Sequence, residues 1–307
     1  MFAIPLALLA ATSNALASVL QRKAAAEAHA SRDHNLGPRL VIELLHRPLW
    51  FFGVLAIVAA FAFQALALGL GKLALVQPLL VAELPIALVI AARIFHRSMS
   101  RRDWTAIVAM AGGLALVLAS AHPSGGRTKV PTFTWGWAAC TAVLVAGGCI
   151  MVARGRPGGQ RAALLAAATG TGFALEASFV KAVTNIFDRG ILSLFGAWQL
   201  YAMVLSGAAS MYLLQQALQA GPLWASQPAL SISDPIVAIA LGIVVFHEKL
   251  GGGVLLLPEL AGAMAMLYGI FTLARSPVSS DDQDEANPGK DAPAKEHDRI
   301  SASEPSP

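Results

Sequence analysis

Charged residues are scarce in this chain of 307 residues: they make up 13% of the sequence, whereas 56% is hydrophobic. A water-soluble protein of this length could not bury so much apolar surface, which excludes an ordinary soluble domain. The charges fall in short clusters between apolar runs of about 20 residues, the length that crosses the hydrocarbon core of a bilayer. Because backbone groups in lipid must pair within their own segment, these runs predict transmembrane helices.

Cysteine is also rare. Cys140 and Cys149 lie in the same apolar run, so they form neither a disulfide framework nor a metal-ligand cluster. The segment Gly170-Thr171-Gly172 lacks the third glycine of a phosphate-binding loop and follows no predicted strand, which favours close helix packing. We find no nucleophile elbow or P-loop, and the basic residues behind the net charge of +4 fall at helix ends. We therefore expect no enzyme activity, no cofactor and no nucleic-acid partner.

The pattern predicts an all-α integral membrane fold with about nine transmembrane spans, numbered here 1 to 9. The polar and amphipathic stretch 22–48 is either an interfacial helix or a degenerate tenth span. Beyond Ser276 the sequence is charged and lacks Phe, Trp and Tyr, which predicts a disordered tail. The nine spans are 2–21, 49–70, 74–95, 104–121, 134–152, 162–184, 191–214, 222–246 and 253–274.

Lysine and arginine indicate the orientation, because they concentrate on the cytoplasmic side of a membrane. The loops after spans 1, 3 and 5 are the basic ones. This places the tail inside and, with nine spans, the N-terminus outside; a tenth span would move the N-terminus alone. We expect a multi-pass protein of the cell membrane, plasma or inner. The basic residues of these three loops are Arg22, Lys23, Arg32, Arg39, Arg47, Arg97, Arg101, Arg102, Arg154, Arg156 and Arg161.

An internal repeat is the most informative feature. Residues 67–86 and 217–236 align without gaps and share nine identities, including a Gln-Pro pair and a second proline seven residues later. Five spans separate equivalent positions, and an odd number turns the second copy upside down. We therefore predict a first repeat at 1–121, a linking span within 122–161, an inverted second repeat at 162–275 and the tail at 276–307. Inverted repeats are typical of secondary transporters, whose site lies between them at mid-membrane, although duplication is also a simple way to build a bundle.

Each repeat places an acidic residue beside a proline near mid-depth: Glu83 with Pro85, and Asp234 with Pro235. Proline removes a helical hydrogen bond, so we expect both prolines to break their helices and free a carbonyl group. An ionised carboxylate in lipid is costly unless it is paired, hydrated or protonated. The two acids are therefore candidates for a substrate, cation or proton site, and the alternative is a pair of neutral structural acids at a kinked interface.

Further polar residues lie within the spans. Glu176 is a third acid at depth, and Glu259 is a weaker candidate. For Lys181 we expect a side chain that reaches to the membrane surface. Amide side chains either line a polar path or bond neighbouring helices together. The candidate lining amides are Gln64, Gln77, Gln215 and Gln227.

Four short motifs resemble the drug/metabolite transporter superfamily, in particular its EamA-like and NIPA-like branches. They are Gln21-Arg22-Lys23, Trp50 with Gly53, Val76-Gln77-Pro78-Leu79 and Phe246-His247-Glu248. The resemblance covers residues 1–275 and implies an inverted-repeat bundle that works as an alternating-access carrier. It also implies a substrate range, since NIPA-like members are associated with magnesium and others export metabolites or drugs.

These observations lead to two hypotheses. The first is a secondary carrier of a metabolite, a drug-like compound or a cation, with magnesium or another divalent ion as the alternative substrate. The second is a non-transporting adaptor that binds a partner through its tail or through residues 22–48. The bilayer and a small solute are the expected partners, and a homodimer is an open alternative.

Overall fold

The predicted apolar runs form α-helices in the computed structural model, which describes residues 2–30, 48–96, 98–120, 124–127, 130–187, 190–249 and 256–275. The amphipathic stretch 31–47 and the tail 276–307, about which the sequence makes predictions, lie outside the described residues. The helices are α1 (Ala3–Ala30), α2 (Pro48–Leu70), α3 (Leu73–Leu80), α4 (Glu83–Ile94), α5 (Arg101–Ser120), α6 (Thr132–Ala153), α7 (Gly158–Phe187), α8 (Ile191–Phe195), α9 (Trp198–Ala220), α10 (Leu223–Val244) and α11 (Leu256–Leu273).

Seven segments are long and apolar enough to cross a membrane, as judged by length and composition. They are α2, α5, α6, α7, most of α1, nearly all of α10, and α3 with α4 taken together. Helix α9 has 23 residues but carries four glutamines among its apolar residues, and α11 is a shorter apolar helix of 18 residues. The membrane-helix prediction is therefore confirmed for seven of the nine spans.

Two boundaries differ from the predicted spans. Span 1 was expected to end at Gln21, but α1 continues as a helix to Ala30. The sequence from Lys23 to Ala30 is rich in alanine and has no proline or glycine, so nothing in it stops the helix. Span 7 is divided into the short helix α8 and the long helix α9, with Gly196 and Ala197 between them.

Span 3 is interrupted at Val81 and Ala82, where α3 ends and α4 begins. Pro85 has no N–H to donate to the Val81 carbonyl, and the N–H of Leu84 donates to that carbonyl instead, at 3.1 Å. The break predicted near Pro85 is confirmed. The expectation of a free Val81 carbonyl is wrong, because a tighter turn occupies it.

Pro235 behaves differently from Pro85. Helix α10 continues through both Pro228 and Pro235, so the predicted break at Pro235 is wrong. A transmembrane helix tolerates an internal proline where neighbouring helices support the segment. Helix α10 has that support, since it packs along α7 and also meets α3.

The helices associate in a similar way in the two parts of the chain, which we call the first half (α1–α5) and the second half (α7–α11). In the first half α1 packs against α2 and α4, and in the second half α7 packs against α9 and α10. Helix α5 packs against α11, which joins the halves, and α6 lies against α7. Helix α7 is the most buried of the seven membrane-spanning segments and is the centre of the bundle.

The outer surface of the bundle is apolar. Large hydrophobic side chains such as Phe51, Val108, Leu144, Leu205 and Met264 are more than half exposed on five different helices. A water-soluble protein rarely exposes contiguous apolar surface of this extent. The exposed faces are instead suited to lipid chains, which agrees with the length of the helices.

Two short strands complete the described fold. Strand β1 (Ser124–Gly125) follows α5 and pairs antiparallel with β2 (Glu248–Lys249), which follows α10. The Arg127 N–H also donates a hydrogen bond of 2.7 Å to the Phe246 carbonyl. These contacts bring the segments after α5 and α10 to the same end of the bundle.

Candidate functional site

Glu83, the first predicted acid, is held by a side chain of α1. The Asn14 side-chain amide donates a hydrogen bond of 2.7 Å to Glu83 Oε2. Glu83 is the first residue of α4, immediately after the break in span 3. Sequence reasoning missed Asn14, although the polar run Thr12-Ser13-Asn14 inside an apolar span was a usable signal.

The other two predicted acids interact with each other. Asp234 on α10 and Glu176 on α7 are close enough for an electrostatic interaction. Asp234 Oδ1 is buried and has no hydrogen-bond partner among the described residues. Both side chains are acceptors when ionised, so neither can satisfy the other. The structure thus groups Glu176 with Asp234, and Glu83 with Asn14.

Small residues allow this approach of α7 and α10. A Cβ atom placed on Gly170 would lie 2.9 Å from the Asp234 nitrogen and 3.0 Å from the Leu230 carbonyl oxygen. On the other side of Glu176, a Cβ atom on Gly207 of α9 would lie 3.5 Å from the Glu176 Cγ atom. The prediction that Gly170 serves close helix packing is confirmed, and the packing concerns the backbone that carries Asp234.

The predicted lining amides differ in exposure. Gln77 is almost fully buried in α3, and Gln64 and Gln227 are half-buried, which is compatible with lining or helix bonding. Gln215 is exposed on α9, whereas its neighbour Gln216 is half-buried. A shift of one residue turns a helical side chain by about 100°. Gln215 is therefore on a more exposed face of α9 than Gln216, and its role as a lining residue stays a prediction.

Lys181 contradicts the expectation that its side chain reaches the membrane surface. Its Nζ atom lies 2.5 Å from Glu248 Oε1 and donates a second hydrogen bond of 2.8 Å to the Gly71 carbonyl. The side chains of Lys181 and Glu248 are 9% and 0% exposed, so the pair is buried. Its partner lies 67 residues away in the sequence, and no local spacing pointed to it.

Glu248 also binds the beginning of α3. The N–H groups of Leu73 and Ala74 donate to Glu248 Oε1 and Oε2 at 2.9 and 3.0 Å. The first N–H groups of a helix have no partner within the helix, and its N-terminus favours negative charge. The N-cap residue itself, Lys72, makes no side-chain capping bond, so a carboxylate from another part of the chain takes that role.

Aromatic rings surround this ion pair. Lys181 Nζ lies 4.9 Å from the centre of the Phe246 ring, a cation–π distance. Trp135 contacts Phe246 edge to face at 5.8 Å and stacks on Phe179 at 4.9 Å. These three rings are buried, and the more exposed Trp198 packs against Trp135 and Phe179. We refer to Trp135, Phe179, Trp198 and Phe246 as the aromatic cluster.

The described part of the chain contains no group of side chains arranged to bind a metal ion. No group of three or more His, Cys, Asp or Glu side chains is close enough there to hold an ion. The two cysteines are free thiols on α6, and Cys140 is exposed on the bundle surface.

The long apolar helices, their apolar outer surface and the polar groups inside the bundle together define a multi-pass α-helical membrane protein. The chain is 31% identical over 221 residues to an uncharacterized protein of Corynebacterium glutamicum, an alignment that covers 71% of this chain and 76% of that protein. The chain therefore belongs to the same family as that bacterial protein. No family model matches the sequence, and no solved structure matches it.

Proposed function

We propose that this protein is a secondary transporter of a small solute and that the acids within its membrane helices bind a cationic group or a proton during transport. One observation carries the proposal: Asp234 Oδ1 is buried without a partner beside a second carboxyl group, Glu176. A buried, unpaired carboxylate is costly and is seldom retained for stability alone. Such a group beside a second carboxyl group is suited to a cation or a proton that binds and is released.

The direction of the helices supports two inverted repeats. Leu73, at the start of α3, lies at the same end as Glu248, which follows α10. The span formed by α3 and α4 therefore runs away from this end, whereas its equivalent, α10, runs toward it. The segments after these two spans then lie at opposite ends of the bundle, as inversion of the second copy requires.

Local geometry at equivalent positions supports the repeat as well. Ala67 and Ala217 are both fully buried. Among the residues that the structure describes, His96 and His247 are the two non-glycine residues with positive φ, 52° and 55°. Each follows a phenylalanine shortly after the aligned segments, at positions that correspond when one residue is inserted in the second copy. Gly71 and Gly221 occupy the two equivalent turns. A side chain at Gly71 would meet Ala3 of α1, and one at Gly221 would meet Gly158 of α7.

The acids occupy related places in this arrangement. Glu83 lies where the third span of the first half meets α1, and Asp234 lies where the third span of the second half meets α7. Secondary transporters with inverted repeats bind substrate near mid-membrane at the interface of the repeats. Alternating access would then move one half against the other around these acids. From the excess of basic residues in the loops after spans 1, 3 and 5, we expect the end with Glu248 to face outside the cell.

Flux measurements test the function. The purified protein in liposomes should transport at least one member of a panel of organic amines, anionic metabolites, drug-like cations and divalent ions. We expect Glu83→Gln and Asp234→Asn each to reduce flux at least about tenfold, without loss of folded protein, as for functional charges in a membrane. Gln219→Leu is the matched control, because Gln219 is exposed on α9 and is not among the candidate site residues. Normal flux in both acid variants would remove the proposed site.

Deletion of the tail tests the adaptor hypothesis. A transporter should retain its flux when residues 276–307 are removed, because the candidate acids and the helices that carry them all precede this segment. A protein that acts through a tail-bound partner should lose its cellular function on the same deletion. Loss of purified, reconstituted flux after the deletion would contradict a carrier formed by the helices alone.

A further inference from the structure

One end of the bundle is closed by bonds that run between the two halves. Lys181 on α7 and Glu248 after α10 belong to the second half, while Gly71, Leu73 and Ala74 belong to the first. The Gly71 carbonyl accepts from Lys181, and the N–H groups of Leu73 and Ala74 donate to Glu248. All three hydrogen bonds would break if the halves separated here.

Close packing leaves little space around these bonds. A Cβ atom on Gly242 of α10 would lie 2.7 Å from Glu248 Oε2 and 3.4 Å from the Ala74 nitrogen. The N-terminus of α3 is therefore pressed against α10 at this point. The Phe246 ring lies over Lys181 Nζ, both side chains of the ion pair are buried, and exclusion of water strengthens their electrostatic attraction.

The same bonds can be replaced by water when this end opens. Lys181, Glu248 and the first N–H groups of α3 are all strongly hydrated groups when exposed. Separation would exchange protein partners for water, whereas loss of one partner in the closed state leaves a buried charge unpaired. Such an element favours two states, fully bonded or fully hydrated, over a partly open one.

We propose that the Lys181–Glu248 pair, bonded to the N-terminus of α3, is the gate that closes this end of the transport pathway. The inference rests on the proposed transport function. The Gly221–Gly158 contact at the other end lies within the second half. Weakening the Lys181–Glu248 gate should shift the population toward a state open at the end that it closes.

Thiol labelling in detergent tests the gate without any substrate. The background variant carries Cys140→Ala and Cys149→Ala, which removes both native thiols. The gate reporter is Ala238→Cys: Ala238 is fully buried on α10, one turn before Gly242, on the side that meets α3. The opposite reporter is Ala162→Cys, also fully buried, at the contact of α7 with the Gly221 turn.

The gate variant is Glu248→Gln, which keeps the shape of the side chain, and the matched control is Lys249→Gln at the exposed neighbouring position. In Glu248→Gln the reporter at 238 should react with a maleimide about tenfold faster, while the reporter at 162 is unchanged, because the shift favours one open state. Lys249→Gln should change neither rate.

Equal acceleration of labelling at positions 238 and 162 would show a general loosening of the bundle. No acceleration at position 238 would show that the pair does not close this end. Either result overturns the proposal.

A charge swap separates this gate from a simple ion pair. Lys181→Glu combined with Glu248→Lys restores an opposite-charge pair, but a lysine cannot accept the N–H groups of Leu73 and Ala74. We expect labelling at 238 to remain fast in the swapped variant. Slow labelling would show that the α3 N-terminus is not part of the gate and would overturn the proposal as stated.

A second single variant keeps the test decisive if Glu248→Gln yields no folded protein. Lys181→Met removes the other partner and should accelerate labelling at 238 alone. The measurements of flux and of labelling test the two proposals separately. Absence of flux together with faster labelling at position 238 overturns the transport function. Normal flux together with unchanged labelling at position 238 overturns the gate.

Discussion

Two buried acid groups in this bundle are in opposite situations. Glu248 has a cation and two helix N–H groups as partners, so both of its carboxylate oxygens are bonded. Asp234 faces another acid, and its Oδ1 atom has no partner among the described residues. A satisfied buried carboxylate holds parts of a protein together, whereas an unsatisfied one is costly until something binds to it. The contrast distinguishes the proposed gate at Glu248 from the proposed binding site at Asp234.

The largest expected effect is the loss of stability when Glu248, whose two carboxylate oxygens are both bonded, is removed. Glu248→Ala should lower the free energy of unfolding by about 3–5 kcal/mol, because it leaves Lys181 buried without a partner and two helix N–H groups unbonded. Denaturation of the detergent-solubilised protein measures the change. Lys249→Ala is the control and should stay within about 0.5 kcal/mol, as for an exposed side chain. A Glu248→Ala variant as stable as the control would end the distinction between the two groups.

Substitutions at Asp234 and Glu176 should have the opposite effect, with a loss of flux and no loss of stability. Glu176→Gln and Asp234→Asn should each reduce flux at least about tenfold and leave stability unchanged or higher, because each removes one of two neighbouring like charges. Flux into liposomes and thermal denaturation of the same preparations check both halves of this statement. A marked loss of stability in either variant would mean that the acids are structural, like Glu248.

A smaller effect should follow from moving α10 away from α7. Gly170→Ala places a methyl group against the backbone of Asp234 and should cost about 1–3 kcal/mol of stability through overpacking. Gly148→Ala on α6 is the matched control, since a Cβ atom there meets nothing within 4 Å. The control should be neutral or should gain up to about 1 kcal/mol from higher helix propensity. Equal stability of the two variants would contradict the close approach of α7 and α10.

The smallest expected effect concerns Glu83, which is intermediate between the two groups because its partners, Asn14 and Ser18, are neutral. Asn14→Ala should cost about 0.6 kcal/mol and at most about 1.7 kcal/mol, the mean and the maximum measured for hydrogen bonds between membrane helices. Glu83→Gln should cost less, because its amide oxygen can still accept from Asn14. Denaturation of both variants tests the order. A larger cost for Glu83→Gln would show that the ionised carboxylate, rather than the hydrogen bond, stabilises the contact of α1 with α4.

The resemblance to a known family, which rests on short motifs, drew attention to Glu248 but did not indicate what its side chain binds. The Phe246-His247-Glu248 motif marked Glu248, yet its bonds to Leu73 and Ala74 cross 175 and 174 residues. Lys181 looked like a surface-seeking lysine, because its partner could not be known before the fold was. Asn14 shows the same limit: it was overlooked, since the inward face of a helix depends on its neighbours.

By itself the sequence determined that the chain crosses a membrane, because apolar runs of this length have no other stable place for their backbone and side chains. It also determined the positions of most helices and, through Pro85, the break in span 3. Only the tertiary structure decided which charges meet. Partners in this bundle come from helices far apart in sequence, and their pairing depends on packing between halves that no local pattern encodes.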